Sequence, residues 1–123
     1  MREHEIRLRR LAINDPRYLE RVLRADASEP SHQLDPHVLS LIRLGILVAV
    51  DGPPSAFEWA TSTALASGAT ADELVDVLVA AAPLVGSARI VTAAPRLACA
   101  LGYDVDADLE HLDDSPRRPG GRD

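Results

Sequence analysis

The feature that most constrains this fold is a long apolar segment, VLSLIRLGILVAV, that lies between two groups of helix-breaking residues. Before it, Asp35 is a suitable N-cap and Pro36 is suited to the first helical turn, so a helix should begin there. After it, the Asp-Gly-Pro-Pro of residues 51–54 ends the helix. The second half of this helix is apolar on every face. It must therefore be covered on all sides, by its own fold or by another subunit.

Composition predicts that the rest of the chain is helical as well. Aromatic residues make up only 3% of the 123 residues, and alanine, leucine and valine fill most apolar positions. Alanine and leucine favour helix, and small side chains allow helices to approach closely. The segments LGILVAV and VDVLVAA could be buried strands of a βαβ unit on periodicity alone. The alanine content and the flanking caps favour an all-α bundle instead.

Caps and breakers set the other helix boundaries. The clearest is a capping box, in which the Thr70 hydroxyl and the Glu73 carboxylate can each bond a free backbone amide at a helix start. Pro83 should kink or end that helix near Ala82, because proline lacks an amide hydrogen. The predicted helices are residues 3–13, 16–25, 36–50, 55–67, 70–82 and 87–101. The last should bury a face formed by Val91, Ala94, Ala98 and Leu101.

Charge argues against several partners. All thirteen cationic side chains are arginine, and nineteen acids give a formal net charge of −6. An acidic surface with scattered arginines repels phosphate, so neither nucleic acid nor an anionic membrane is an expected partner. The absence of lysine excludes a lysine Schiff base.

The cysteine and histidine content and the hydropathy pattern limit the cellular location and the cofactors to be expected. A single cysteine cannot close an internal disulfide, and Cys99, flanked by alanine and leucine, should be a buried small thiol. The four histidines lack metal-ligand spacing, so neither a metal nor another cofactor is expected. No run of eighteen apolar residues could span a bilayer, and the evenly charged amino terminus does not resemble a signal peptide. The expected location is the cytoplasm.

Four motifs in order indicate a family. They are Leu34-Asp35-Pro36, the apolar run 41–50, the turn Ala64-Leu65-Ala66-Ser67-Gly68-Ala69-Thr70, and the stretch Ala82-Pro83-Leu84-Val85-Gly86. In this order they resemble the carboxymuconolactone decarboxylase and alkyl hydroperoxidase D family over roughly residues 34–100. The resemblance implies an alkyl hydroperoxidase D-like helical bundle that assembles as a trimer or hexamer. We expect N-terminal helices in 1–33, the family domain in 34–112 and a disordered tail in 113–123.

The reactive residues implied by this resemblance are missing. Peroxide-reducing members carry a Cys-x-x-Cys followed four residues later by histidine, which here fall on Pro53, Ala56 and Ala60. Their proton-relaying glutamate falls on Ser40. Proline and alanine can neither attack a peroxide nor carry a proton, so thiol chemistry is not expected at these positions. The decarboxylase branch keeps the histidine, and its loss at Ala60 leaves that activity without an evident acid or base.

Other groups could line the inherited pocket. By helical spacing these are Ser40, Arg43, Glu58, Thr61 and Thr63, with Trp59 beside them. An arginine in an apolar helix needs a partner, so Arg43 either pairs with an acid such as Glu58 or Asp76, or anchors a carboxylate-bearing ligand. Trp59 should lie in the core or in a subunit interface.

These observations favour a non-catalytic, homo-oligomeric protein that binds a small molecule or acts as an accessory protein. The alternative is a cofactor-free enzyme, resembling a lyase or decarboxylase, that acts on a small carboxylated or hydrophobic metabolite. A peroxide-reducing protein that uses Cys99 ranks last.

Overall fold

The computed structural model describes residues 2–24 and 33–103. These residues form six α-helices and no strand, which confirms the all-helical prediction. The helices are α1 (Glu3–Ala12), α2 (Pro16–Arg24), α3 (Pro36–Val50), α4 (Pro54–Ala66), α5 (Ala71–Val85) and α6 (Ser87–Ala100). The chain divides into two compact units, an N-terminal unit of residues 1–30 and a bundle unit of residues 31–123. The predicted tail, 113–123, lies outside the described residues.

The N-terminal unit is a pair of short helices. The Asp15 carboxylate accepts hydrogen bonds from the backbone amides of Arg17 (3.1 Å) and Tyr18 (3.3 Å), so it caps α2 as its Asp-Pro sequence predicts. The guanidinium groups of Arg10 and Arg21 lie 5.8 and 5.5 Å from the centre of the Tyr18 ring. Neither helix buries a side chain fully.

The bundle unit is a closed ring of four helices. α3 packs against α4 and α5, and both of these pack against α6. Ten buried apolar residues form the core between these helices. They are Leu44 and Val48 of α3, Phe57, Ala60 and Ala64 of α4, Ala69 of the turn before α5, Leu74 and Leu78 of α5, and Ala93 and Leu97 of α6. α4 presents two alanines to this core, which allows a close approach of its neighbours. α3 is therefore covered on its Leu44 side by its own fold.

The caps of the bundle confirm two sequence predictions, and of the two effects predicted for Pro83, a kink or a helix end, the helix end is wrong. Asp35 accepts a hydrogen bond from the Val38 amide at 2.9 Å, and Thr70 and Glu73 form the reciprocal capping box. α5 does not end near Ala82 but continues through Pro83 to Val85. Pro83 lies on the exposed side of α5, where water can hydrate the backbone carbonyl that loses its donor.

The buried face of α6 differs in part from the predicted one, since Leu101 packs against the core and Ala98 is half-buried, but Val91 and Ala94 are exposed. Its buried residues are Ala93 and Leu97, with Ile90 and Leu101 packed against the same core. Val91 is 71% exposed, and Ala94 and Cys99 are exposed as well. Cys99 follows Leu97 by two residues, a rotation of about 200° around the helix, so the expectation of a buried thiol is wrong. α6 carries small apolar residues on several faces, and contact with α4 and α5 decides which one is covered.

The described helices include none with the length and apolar character needed to cross a membrane.

Candidate functional site

The positions that matched the reactive residues of the family begin at the turn between α3 and α4. Asp51 ends α3 in the left-handed conformation, with φ of 58°, and the Gly52 amide donates to the Leu47 carbonyl at 2.9 Å. Asparagine and aspartate tolerate this conformation better than most residues. Pro53 is then the extended N-cap of α4, and Pro54 occupies its first turn, where a missing amide hydrogen costs nothing.

The four positions that the resemblance assigns to reactive residues differ in their surroundings. Pro53 is exposed, Ala56 is half-buried, and Ala60 is only 2% exposed because it belongs to the apolar core. Ser40 is buried on α3, and its hydroxyl donates to the His37 carbonyl of the same helix at 2.7 Å. Of these positions, Ala60 therefore lies inside the packed core, and the only hydroxyl among them, that of Ser40, is hydrogen-bonded to the backbone.

The candidate pocket residues divide between the interior and the surface. Ser40 and Thr61 are buried, Arg43 and Thr63 are half-buried, and Glu58 and Trp59 are exposed. Within residues 33–103 Arg43 forms no salt bridge with Glu58 or Asp76, so neither predicted ion pair is present. Trp59 is 53% exposed, because it follows the core residue Phe57 by two positions and points elsewhere. The prediction that it lies in the core is wrong, and an interface role stays a prediction.

A cluster of charged residues that the sequence did not indicate holds the α3–α4 turn. The Asp51 carboxylate lies 3.2 Å from Arg89 and 3.1 Å from Arg96, both on α6. Arg96 also donates to the Gly52 carbonyl at 2.5 Å. These side chains are 27–47% exposed, so the ion pairs contribute at most about 1 kcal/mol each. The cluster holds the turn after which α4 begins. It could not be predicted from the sequence without knowing that α6 lies beside this turn.

A second polar link joins the starts of α3 and α5. His37 Nε2 lies 3.0 Å from Glu73 Oε1, which also accepts the Thr70 amide at 2.9 Å. The Thr70 backbone hydrogen bond, and after it the hydrogen bond from His37, lowers the pKa of Glu73 below its ordinary value of 4.5. Glu73 therefore serves both as capping residue and as the acceptor for a side chain of another helix.

This link predicts acid sensitivity. A carboxylate whose pKa is lower in the folded than in the unfolded protein stabilises the fold above the unfolded pKa, and that stabilisation is lost as pH falls through the folded pKa. Glu73→Gln keeps a side-chain oxygen that can accept the hydrogen bond from the Thr70 amide, and it has no carboxyl group that titrates. Melting temperatures of wild type and Glu73→Gln, measured by circular dichroism from pH 7 to 3, should differ above about pH 4.5 and converge below it. Glu58→Gln, at an exposed site without these contacts, is the control. A constant difference across the range would contradict this role.

Thr61 is a buried polar residue without a hydrogen-bond partner among the described residues. Its side chain is 1% exposed on the core side of α4, and its Oγ1 contacts neither backbone nor side-chain partners within hydrogen-bond range. A buried hydroxyl that loses water without gaining a partner destabilises the fold.

Thr61→Val should therefore stabilise the bundle by about 1 kcal/mol, because valine has the same shape and no polar group. Thermal unfolding should show a rise of about 4–8 °C in the melting temperature. Thr92→Val is the matched control, since Thr92 is exposed on α6 and its hydroxyl donates to the Ala88 carbonyl at 3.0 Å. Equal effects of the two variants would show that the Thr61 hydroxyl is satisfied.

The fold and the α3–α4 turn define a class of protein. It is a small helical bundle in which an apolar helix with an Asp-Pro start is followed by a short turn and by a helix that ends at a glycine. The model of the carboxymuconolactone decarboxylase family matches residues 16–98, from the start of α2 into α6. The match spans more than half of the 123 residues, and the chain belongs to the carboxymuconolactone decarboxylase family. Comparisons with curated proteins and with solved structures gave no match. In residues 2–24 and 33–103, no three histidine, cysteine, aspartate or glutamate side chains are grouped closely enough to bind a metal ion.

Proposed function

We propose that this protein is a non-catalytic member of its family that self-associates and binds a small molecule or acts as an accessory protein. The observation that carries the proposal is the burial of Ala60. The resemblance places a catalytic histidine at this position, yet the methyl group there is 2% exposed and packs in the apolar core. An imidazole would need space that this packed apolar core does not provide.

The distribution of sulfur supports the same proposal. Thiol-dependent peroxide reduction needs a thiolate and a second thiol to resolve the oxidised product. The chain has one cysteine, Cys99, which is exposed on α6, whereas Pro53 and Ala56 stand where the family's cysteine pair would be. Chemistry of this kind would need a partner thiol from another molecule.

Self-association is proposed from the outer face of α3. Val38, Ile42, Ile46 and Val50 are 38, 43, 54 and 64% exposed and recur every four residues, and we call them the α3 stripe. An exposed apolar row of this length marks an interaction site more often than a free surface. We propose a trimer or hexamer, located in the cytoplasm, with a small carboxylated or hydrophobic metabolite as the ligand.

A peroxide-reduction assay on the full chain tests the non-catalytic part. We expect no consumption of hydrogen peroxide or an organic hydroperoxide beyond that of free cysteine at equal concentration, and no change in Cys99→Ser. Light scattering after size exclusion should give a mass that is a multiple of the chain's 13.2 kDa. Peroxide turnover that vanishes in Cys99→Ser would overturn the non-catalytic proposal, and a monomeric mass would overturn the oligomeric one.

A second candidate function is a cofactor-free, lyase- or decarboxylase-like activity on a small carboxylated metabolite. It is favoured by Arg43, a half-buried residue that pairs with neither of the acids proposed for it in residues 33–103. Arginine binds carboxylates through two parallel hydrogen bonds, so Arg43 would hold the anionic group. Glu58 or Ser40 would then move a proton.

Native mass spectrometry tests whether Arg43 anchors a carboxylate, on which the second candidate depends. If Arg43 anchors a carboxylate, Arg43→Met should lose a co-purified or added small carboxylic acid that the wild type retains. Arg89→Met, which removes an exposed arginine already paired with Asp51, should retain it. Equal retention by both variants would show that Arg43 is not a ligand anchor.

A further inference from the structure

We propose that the N-terminal unit of one copy docks onto the α3 stripe of a second copy, with α2 as the helix that makes the contact. This inference rests on the proposed self-association and says which helix of the second copy covers the α3 stripe.

The α3 stripe is well formed for receiving a helix. Its four residues are spaced i, i+4, i+8 and i+12, so they form one continuous row along α3. The row lies opposite the buried side of the same helix, since Ile42 and Ile46 each stand two residues from buried Leu44. Every residue of the row is aliphatic and β-branched, which limits the side-chain entropy lost on binding.

α2 presents the complementary face. Its apolar residues, Tyr18, Leu19, Val22 and Leu23, lie on one side of the helix, and its charged residues, Arg17, Glu20, Arg21 and Arg24, lie on the other. Tyr18 and Leu19 are half-buried within the N-terminal unit, whereas Val22 and Leu23 are 44 and 82% exposed. An amphipathic helix that lays such a face onto an apolar row is a common recognition mode.

Charge complements this fit. Residues 1–30 contain seven arginines and six acids, a net charge of +1, and residues 31–123 contain six arginines and thirteen acids, a net charge of −7. Two of these acids, Asp72 and Asp76, are exposed one turn apart on α5, the helix that packs beside α3. The opposite net charges therefore favour the approach of the N-terminal unit of one copy to the bundle unit of another, and the apolar face of α2 makes the contact. Two α3 stripes facing each other would lack this complementarity.

The contact is head to tail. Each copy contributes one α2 and one α3 stripe, and the two surfaces differ, so the contact repeats from copy to copy and forms a ring where its rotation closes. This geometry agrees with the proposed trimer or hexamer.

Two single variants and their mixture test this geometry. Leu23→Glu places a charge on the docking face of α2, and Ile46→Glu places one in the α3 stripe. Both sites are exposed, so circular dichroism should show wild-type helix content. Each variant alone should self-associate at least tenfold more weakly than wild type in sedimentation velocity. An equimolar mixture should regain a two-chain species, because one copy supplies an intact α2 and the other an intact stripe. Val91→Glu, at a 71% exposed apolar site on α6, is the control and should assemble as wild type.

The outcomes separate this inference from the proposed function. A monomeric wild-type protein would overturn both. A wild-type oligomer that persists in Leu23→Glu would overturn this inference alone, because α2 is then not needed. Loss of assembly in Ile46→Glu together with normal assembly in Leu23→Glu would show that two stripes face each other. Loss in both variants without recovery in the mixture would also overturn the contact of α2 with the stripe. Should Ile46→Glu unfold, Ile42→Glu provides the same test at the neighbouring position of the row.

Discussion

Replacing Ala60 by histidine should destabilise the bundle unit by about 3 kcal/mol. Ala60 is 2% exposed in the core beside Phe57 and Leu44, so added atoms must force these neighbours apart. Overpacking a core typically costs roughly 1–3 kcal/mol. Burying an imidazole without a hydrogen-bond partner adds about 1–3 kcal/mol. Urea denaturation followed by circular dichroism should show the loss as a lower midpoint with little change in slope.

Ala80→His is the matched control, because Ala80 lies exposed inside α5 and the same substitution there changes only helix propensity. The comparison bears directly on the proposed function. If Ala60→His is as stable as Ala80→His, the core has room for the family's histidine, and the burial of Ala60 would no longer support a non-catalytic protein.

Replacing Phe57 by alanine should have an equally large effect. Phe57 is the only phenylalanine, is 1% exposed and is the largest fully buried side chain among the described residues. Removing a buried phenyl ring costs about 3–5 kcal/mol through lost burial and the cavity that remains. A domain of marginal stability would then be largely unfolded at room temperature, which two-dimensional NMR would show as a collapse of amide dispersion.

Trp59→Ala, two residues along the same helix, provides the contrast. Trp59 is 53% exposed, so its loss should cost about 1 kcal/mol or less in the isolated chain. A large loss only at protein concentrations that favour assembly would place Trp59 in a subunit interface. A large loss at every concentration would contradict the exposed position.

The parts of the fold that the sequence predicts are those decided by neighbours along the chain. Asp35 caps α3 and Thr70 caps α5 because each bonds an amide three residues away, and such spacing is visible in sequence. Gly68 follows α4 with φ of 97°, a conformation that glycine adopts without strain. These local rules located all six helices to within a few residues.

The parts that the sequence does not predict depend on contacts between distant elements. The face of α6 that is buried, with Ala93 and Leu97, could not be chosen from composition because several faces are equally apolar. Pro83 stays inside α5 because its side of the helix is exposed, and exposure is a property of the assembled bundle. The contact of Asp51 with Arg96 joins residues 45 positions apart, and no spacing rule reaches that far.

The candidate site shows the same division. The resemblance predicts that Pro53, Ala56 and Ala60 stand where the family carries reactive residues, but only packing reveals that Ala60 lies inside the core while Pro53 lies at the surface. A role for Arg43 stays a prediction, and the acidic partners expected for it do not contact it in the described part of the chain.

The closed ring of four helices has a consequence for how the protein is made. α6 follows α3, α4 and α5 in the chain, and it contacts both α4 and α5 while Arg96 donates a hydrogen bond to the Gly52 carbonyl of an earlier turn. Until α6 has been synthesised, the core around Phe57 lacks the helix that closes it. The core of the bundle therefore cannot be completed step by step as α3, α4 and α5 are made.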